Sequence, residues 1–356
     1  MNSATPVTIA VDIMGSDGGM EATLGGCLRY LQNHASTRLI LCGNEQKISA
    51  FPMAGELRSH FSDRMELHHC EDVVTMTDKP MLMVRRGRNT SMWHAIELVK
   101  NGEAGAIVSC GNTGVLMAMS VLQLRMLEGI ERPAITALWP SNRGRCVVLD
   151  VGANVEANAN QLVQFAIMGE AFFRALEGKE KPSVGLLNVG AEELKGHDLI
   201  RTAARILREA DPKMAFHGFV EGDDIAKGTV DVIVTDGFTG NITLKTAEGT
   251  ARVIGAWIKE VMTQSLLTKL GAALMMGGLS RMRARMDPSN VNGAPLLGLN
   301  GLVIKSHGSA DETGFCSALE IADSLVRHPF QEEIKTTIAK VRERAVKVQT
   351  EEKEVI

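Results

Sequence analysis

The sequence predicts an α/β protein: a mostly parallel, doubly wound sheet in three α/β/α layers, carrying one helical protrusion. Three observations predict it. Four times a short apolar run breaks into a small polar loop and then a helix-like pattern, at AIVSCGNTG, CVVLDVGAN, VGLLNVGAEELKG and VIVTDGFTGN. Strand-like and helix-like periods alternate along most of the chain, which implies parallel strands covered on both faces. At 356 residues and 45% hydrophobic, the chain is long enough to bury a large core, so one α/β unit spanning residues 1–356 is expected.

The first strand is predicted over residues 7–13 and ends in Met14-Gly15-Ser16-Asp17-Gly18-Gly19, whose glycines permit backbone angles closed to other residues. Helical pattern resumes at Met20. Further strands are expected over residues 38–42, 106–109, 145–151, 183–188, 215–220 and 231–235, with helices between them that include 91–100 and 160–176. In such a sheet the loops at the carboxyl ends of the strands lie together, where backbone N–H groups and helix N-termini can hold an anion. Residues 244–287 break the rhythm: they carry no strand pattern and read as one or two amphipathic helices. Their middle is rich in Leu and Met and is followed by Arg281, Arg283 and Arg285. A core or dimer-interface helical pair, contact with a membrane surface, and docking of an acidic partner all fit that pattern. Residues 332–356 read as a charged, solvated helix.

Composition removes several classes of function. The net charge of -4, with both signs interspersed, gives no basic footprint for duplex nucleic acid, and a single Tyr argues against a base-stacking platform. The six cysteines are scattered singly, without CxxC pairs, which points to a reducing, cytoplasmic setting. The N-terminal segment has no signal-peptide pattern, and no run of about 20 apolar residues occurs, so neither secretion nor a membrane span is expected.

The chemistry is expected in the loops. Ser109-Cys110-Gly111-Asn112-Thr113-Gly114 follows a strand and opens a helix, so its free amides point where an anion would sit. It is neither the dinucleotide fingerprint GxGxxG nor the phosphate loop GxxxxGK[ST], and a tight structural turn is the competing reading. Asp236-Gly237-Phe238-Thr239-Gly240-Asn241 and Asp150-Val151-Gly152-Ala153-Asn154 repeat the architecture. There an Asp can orient a basic group or merely cap the next turn. In Asn188-Val189-Gly190-Ala191-Glu192-Glu193-Leu194-Lys195-Gly196-His197-Asp198 the lysine, if it points inward, can neutralise phosphate or a developing oxyanion; the alternative is a surface pair with Glu192. Arg85, Arg86 and Arg88 precede a helix that Asn89, Thr90 or Ser91 can cap, a second anion-friendly junction or a solvated basic loop. His68-His69-Cys70 reads as structural, because adjacent histidines point to opposite faces of a strand and no zinc-like spacing follows. His94 and His307 lie near polar turns, and no GxSxG elbow or HExxH helix occurs.

Taken in order, VDIMGSDGG, MTDKP with RRGRNTSM, VSCGNTG, RPAI, DVGANVE, LLNVGAEELKGHD, GFVEGDDI, DVIVTDGFTGNITLKTAEG and GAPLLGLNGLVIKSHGSAD resemble the PlsX family of phosphate acyltransferases, over about residues 8–325. Ser16, Met20, Arg88, Thr90 and Glu156 depart from the family pattern. The resemblance implies a cytoplasmic homodimer that moves a fatty acyl group from acyl carrier protein to inorganic phosphate, giving acyl phosphate for phospholipid synthesis. It implies a fold similar to the isocitrate and isopropylmalate dehydrogenases. It further implies peripheral membrane association through residues 244–287, near a membrane glycerol-phosphate acyltransferase that uses the product, with Arg281, Arg283 and Arg285 meeting carrier protein or anionic lipid. Because inorganic phosphate is already anionic and a thiol leaves readily, such a reaction needs positioning and charge neutralisation more than a triad. On this reading Lys195 stabilises oxyanion or phosphate, Gly111, Asn112, Thr113, Gly114, Gly237, Thr239, Gly240 and Asn241 hold phosphate with Arg86, and Asn188 and Asp236 orient them; no cofactor and no metal is expected. A metal-dependent dehydrogenase of the related fold and a non-catalytic membrane-surface scaffold are the alternatives.

Overall fold

The computed structural model describes residues 6–211, 213–286 and 292–354, with side chains described to 278 in the protruding helices and to 344 in the last helix. Its strands are β1 (Val7–Asp12), β2 (Thr37–Gly43), β3 (Met65–His69), β4 (Ala106–Ser109), β5 (Ala134–Ser141), β6 (Gly144–Leu149), β7 (Ser183–Leu187), β8 (Ala215–Val220), β9 (Val232–Val234), β10 (Ala294–Leu297) and β11 (Leu302–Lys305). They join one sheet in the order β3-β2-β1-β4-β11-β10-β5-β6-β9-β7-β8. Helices cover both faces. Ile9, Val11, Leu39 and Leu41 pack with Leu24, Cys27 and Phe315 on one side. Ala10, Ile40, Cys42 and Ile107 pack with Met92, Ile96, Leu116 and Met119 on the other. This alternation is what a sheet buried on both faces requires.

Every strand expected from the sequence is present to within one or two residues at its ends. The strands that periodicity did not predict are β3, β5, β10 and β11. The last two are four residues each, set among glycines in GAPLLGLNGLVIK, too short for a period to register. They decide the direction of the sheet. The strand β10 is antiparallel to both β11 and β5, and β5 is antiparallel to β6, whereas the remaining pairings are parallel. Consequently β3-β2-β1-β4-β11 run one way and β6-β9-β7-β8 the other. The expectation that all four strand-loop-helix junctions share one end of the sheet is therefore corrected: they form two groups.

A parallel register also sets up one row of residues. Asp12 pairs with Ser109, Ser109 with Lys305, Asp12 with Cys42, and Cys42 with His68. Five chemically active side chains thus lie abreast near the carboxyl ends of β3, β2, β1, β4 and β11, on one face. The chain's protruding segment is the helix Gly237–Thr263 followed by the helix Leu266–Met286, packed against each other. It exposes Trp257 (63%), Leu266 (85%) and Leu274 (84%) to solvent.

Candidate active site

The first group of loops surrounds the place between β1 and β4 where the strand order reverses, the position at which open α/β sheets bind ligands. Asp12 ends β1 with its carboxylate fully buried. One oxygen accepts from Ser91 Oγ at 2.6 Å and from the Met14 amide at 3.3 Å; the other accepts from Ser109 Oγ at 2.7 Å. Ser109 Oγ in turn accepts from the Gly111 amide at 3.0 Å, so one carboxylate fixes the entry to the Gly111 loop. Burial pushes the Asp12 carboxyl up to about 6, against the hydroxyl bonds and the nearby Lys305 charge that favour its anion. A Cβ at Gly111 would stand 2.5 Å from Met92 Cε, so that methyl would have to move to admit a side chain.

Lys305 ends β11 in the same row. Its Nζ donates to the carbonyls of Cys110, at 3.1 Å, and of Ser306. No carboxylate pairs with it among the described residues, and burial lowers its pKa, with Asp17 and Asp12 acting the other way. Next to it Asn112 caps the helix Thr113–Leu124 by accepting from the Val115 amide at 3.1 Å. The Asn112 amide group donates to the carbonyls of Met76 at 2.8 Å and Asp78 at 3.1 Å, which pins the preceding turn. The first-turn amides of Thr113 and Gly114 remain without intrahelical acceptors, as at any helix start. The loop after β11 closes the group: Asp17 donates its amide to the Gly308 carbonyl at 2.9 Å, and Ser16 Oγ to the same carbonyl at 3.2 Å. Burial and Lys245 lower the His307 pKa.

The second group is built differently. Asp150, at the end of β6, is buried and accepts from the amides of Ile135 (3.0 Å), Gly152 (3.1 Å), Ala153 (3.0 Å) and Asn154 (2.7 Å) and from Asn154 Nδ2 (2.9 Å). Its pKa is raised by burial, with those donors opposing. Asp236 caps the helix Gly237–Thr263, accepting from the Thr239 amide at 2.8 Å and Thr239 Oγ1 at 2.9 Å. The Gly237 amide donates to the Asn154 carbonyl at 2.8 Å. A Cβ at Gly237 would meet Asp150 Oδ2 at 2.8 Å, and one at Gly240 the Asp150 backbone, so both glycines serve close packing. Asn241 lies against Gly152. Asn188 donates from Nδ2 to the carbonyls of Gly190 and Lys195, each at 3.1 Å, while its Oδ1 is buried with no partner. Lys195 is half-exposed and pairs with Glu192 at 2.8 Å; that carboxylate raises its pKa.

The residues singled out from the sequence are therefore divided. Gly111 lies against Asp12 and Ser109 and opens the loop that Asn112 caps before Thr113 and Gly114, and Lys305 binds the Cys110 carbonyl next to it; Gly237 and Gly240 are crowded by Asp150, Thr239 binds Asp236 and Asn241 lies against Gly152; Asn188 and Lys195 belong to the loop after β7. Arg86 is exposed at the last turn of the helix Pro80–Arg86. The side chains of Arg281, Arg283 and Arg285 lie outside the described residues. Lys245, on the helix that Asp236 caps, lies within electrostatic reach of Lys305 and His307, so that helix links the two groups. Sequence reasoning missed Asp12 and Lys305, and it noted Ser109 only as the start of its loop and Ser91 only as a possible cap, not as the hydroxyls that hold Asp12. The available signal was a charged residue ending an otherwise apolar strand, as in VTIAVD and LVIK.

Solved structures share this architecture at low identity. A EutD phosphotransacetylase from Staphylococcus aureus aligns with a TM-score of 0.57 at 14% identity, covering 90% of this chain and 94% of its own. A 4-hydroxythreonine-4-phosphate dehydrogenase from Klebsiella pneumoniae aligns at 0.52 and 12%, covering 90% and 100%. Among curated relatives, a phosphate acyltransferase of Maricaulis maris is 52% identical over 337 residues, 94% of this chain and 95% of the relative. One of Caulobacter vibrioides is 50% identical over 346 residues, 97% and 95%. Residues 7–333 match the family described as fatty acid synthesis protein. The chain thus belongs to the fatty acid synthesis protein family, the phosphate acyltransferases that its ordered motifs resemble.

Proposed function

We propose that this chain transfers a fatty acyl group from the thioester of acyl carrier protein to inorganic phosphate, releasing acyl phosphate. The observation that carries the reading is Lys305: a half-buried ammonium hydrogen-bonded to carbonyls alone, abreast of Asp12 and Ser109 and next to the loop whose Thr113 and Gly114 amides open a helix. A phosphate dianion placed there receives a full positive charge and two backbone donors in a site of low dielectric, where such interactions are strongest. A phosphate oxygen attacks the thioester carbon, the C–S bond breaks, and the carrier thiolate takes its proton from solvent. Its leaving-group pKa, near that of cysteine at about 8.5, requires little acid assistance. The fixed charge meets the oxyanion as it forms. Asp12 does not touch substrate; it positions Ser109 and through it the loop.

Lys195 serves this reaction only after leaving Glu192, so on this reading it is an auxiliary cation brought in when carrier protein or phosphate engages the loop after β7. Asn188 holds that loop, and Asp236 sets the helix that carries Lys245 toward the site. Arg86 is placed to meet anionic substrate from outside. The whole chain then acts as one catalytic unit, with the paired helices over 244–287 as its protrusion. Their exposed Trp257, Leu266 and Leu274 suit a second subunit or a peripheral membrane surface, where a lipophilic product passes to a membrane glycerol-phosphate acyltransferase. No helix among the described residues is long and apolar enough to cross a membrane. A cytoplasmic enzyme at the membrane surface is the arrangement we propose.

The test incubates purified protein with long-chain acyl carrier protein and inorganic phosphate, without metal, nucleotide or nicotinamide, and follows acyl phosphate by mass spectrometry. Product dependent on phosphate supports the reading. Folded protein that yields none favours the scaffold or dehydrogenase alternative.

A further inference from the structure

We infer that His68, Cys70 and His94 form a binding site for a zinc-class transition-metal ion at the edge of the sheet, with Glu97 holding His94 from behind. One ligand atom from each of the three lies within 4.8 Å of the other two. The rings of His68 and His94 stand 5.0 Å apart and are tilted rather than stacked. The spacing of His68-His69-Cys70 by itself predicts a structural role, and the adjacent histidines do point apart: His69 Nδ1 accepts from the Glu45 amide. It is His68 and Cys70, two residues apart, that share a face.

The third ligand comes from the fold. Beyond β3 the chain bridges at Asp72 to Thr90, and the Ser91 amide donates to the Asp72 carbonyl at 3.1 Å. This lays the first turn of the helix Ser91–Lys100 beside Cys70, and His94 belongs to that turn, its amide bound to Thr90. One turn on, Glu97 Oε2 stands 3.4 Å from His94 Nδ1, which leaves the other ring nitrogen for an ion. A carboxylate behind a histidine is the usual outer partner of a metal-ligating imidazole. One thiolate and two imidazoles select zinc and its neighbours over magnesium or calcium, and three protein ligands leave a fourth position to water. The thiol S–H bond breaks on binding, the proton goes to solvent, and the sulfur–metal bond forms. Cys70 is buried while both histidines are partly exposed, which gives the ion a path inward. An ion here joins β3 to the helix whose first residue, Ser91, holds Asp12.

The full-length chain, stripped with chelator, is titrated with Co²⁺ and then with Zn²⁺. One Co²⁺ per chain, with a thiolate-to-cobalt charge-transfer band displaced by Zn²⁺, is expected, and the band is lost in Cys70→Ser. Glu97→Gln weakens affinity roughly 10- to 100-fold, and His69→Gln leaves it unchanged. No band in the wild type, or the same band in Cys70→Ser, overturns the site. Should Cys70→Ser fail to fold, His94→Gln, at a part-exposed position, decides: binding at wild-type affinity in that folded variant also overturns the inference.

Discussion

Two groups of loops close the two oppositely directed halves of one sheet, and they differ in how their polar atoms are used. Around β6 and β9 nearly every group is satisfied from within: Asp150 takes five donors, Asp236 is spent on a cap, and Lys195 is paired with Glu192. Around β1, β4 and β11 the half-buried Lys305 has only carbonyls as hydrogen-bond partners, and a helix with open first-turn amides begins just after one of them, Cys110. Burying charge without an opposite charge is costly, and the cost is tolerated where a ligand supplies the missing charge. On the proposed reading the second group is a structural joint and the first the place for the anion, although both come from the same strand-loop-helix pattern. The exception is Asn188 Oδ1, a buried acceptor without a donor in the otherwise saturated half.

That contrast can be broken in several ways. The largest effect is expected at Lys305: Lys305→Met lowers the rate of acyl phosphate formation by roughly 10²–10³, the usual loss for one fixed transition-state donor. Steady-state assays with the folded variant check this, and a loss below tenfold would move the anion elsewhere. Next comes Asp150→Ala, which strands five donors in a buried turn and costs at least about 3 kcal/mol of stability by urea unfolding. A mild effect there would mean that the joint is not saturated as described.

Asp12→Asn sharpens the comparison through pH. A carboxyl raised from 3.8 to about 6 on folding favours the protonated form in the native state. Its contribution is therefore full below about pH 4 and is lost as pH rises through about 6, by roughly 3 kcal/mol at about 1.4 kcal/mol per unit. The variant lacks this dependence, so its stability relative to wild type should climb over that window. A flat difference between the two unfolding series would count against a buried, charge-resistant Asp12. The smallest effect is expected at Lys195. Its exposed pairing with Glu192 predicts that Lys195→Ala changes turnover by less than roughly threefold, since screened surface pairs hold little energy. A larger fall in kcat/KM for acyl carrier protein, with phosphate binding intact, would assign the lysine to the carrier side of the reaction.

Much of the fold was legible because strands 106–109 and 215–220 and the helix 91–100 have the lengths and periods that such elements impose. The strands not foreseen were β3, β5, β10 and β11, the last two because four-residue runs between glycines carry no measurable period, and with β5, β10 and β11 went the reversal of half the sheet. The site was legible only in part for the same reason. Glycine-rich loops announce themselves in a sequence, so Gly111–Gly114 and Gly237–Gly240 were found, but the glycines at 237 and 240 turn out to be crowded by Asp150. Lys305 sits on the missed strand β11, and its meaning depends on which carbonyls and which row it meets. Lys195, in contrast, is conspicuous in the sequence because its neighbours are acidic, and those same neighbours occupy it in the fold.

The most direct test of the central claim is the phosphate dependence of Lys305→Met and Lys195→Ala, measured side by side at saturating acyl carrier protein. The account predicts a large rise in KM for phosphate, together with the fall in kcat, for Lys305→Met and a near wild-type KM for Lys195→Ala. The reverse pattern would contradict it and would place the phosphate in the loops after β7 and β9.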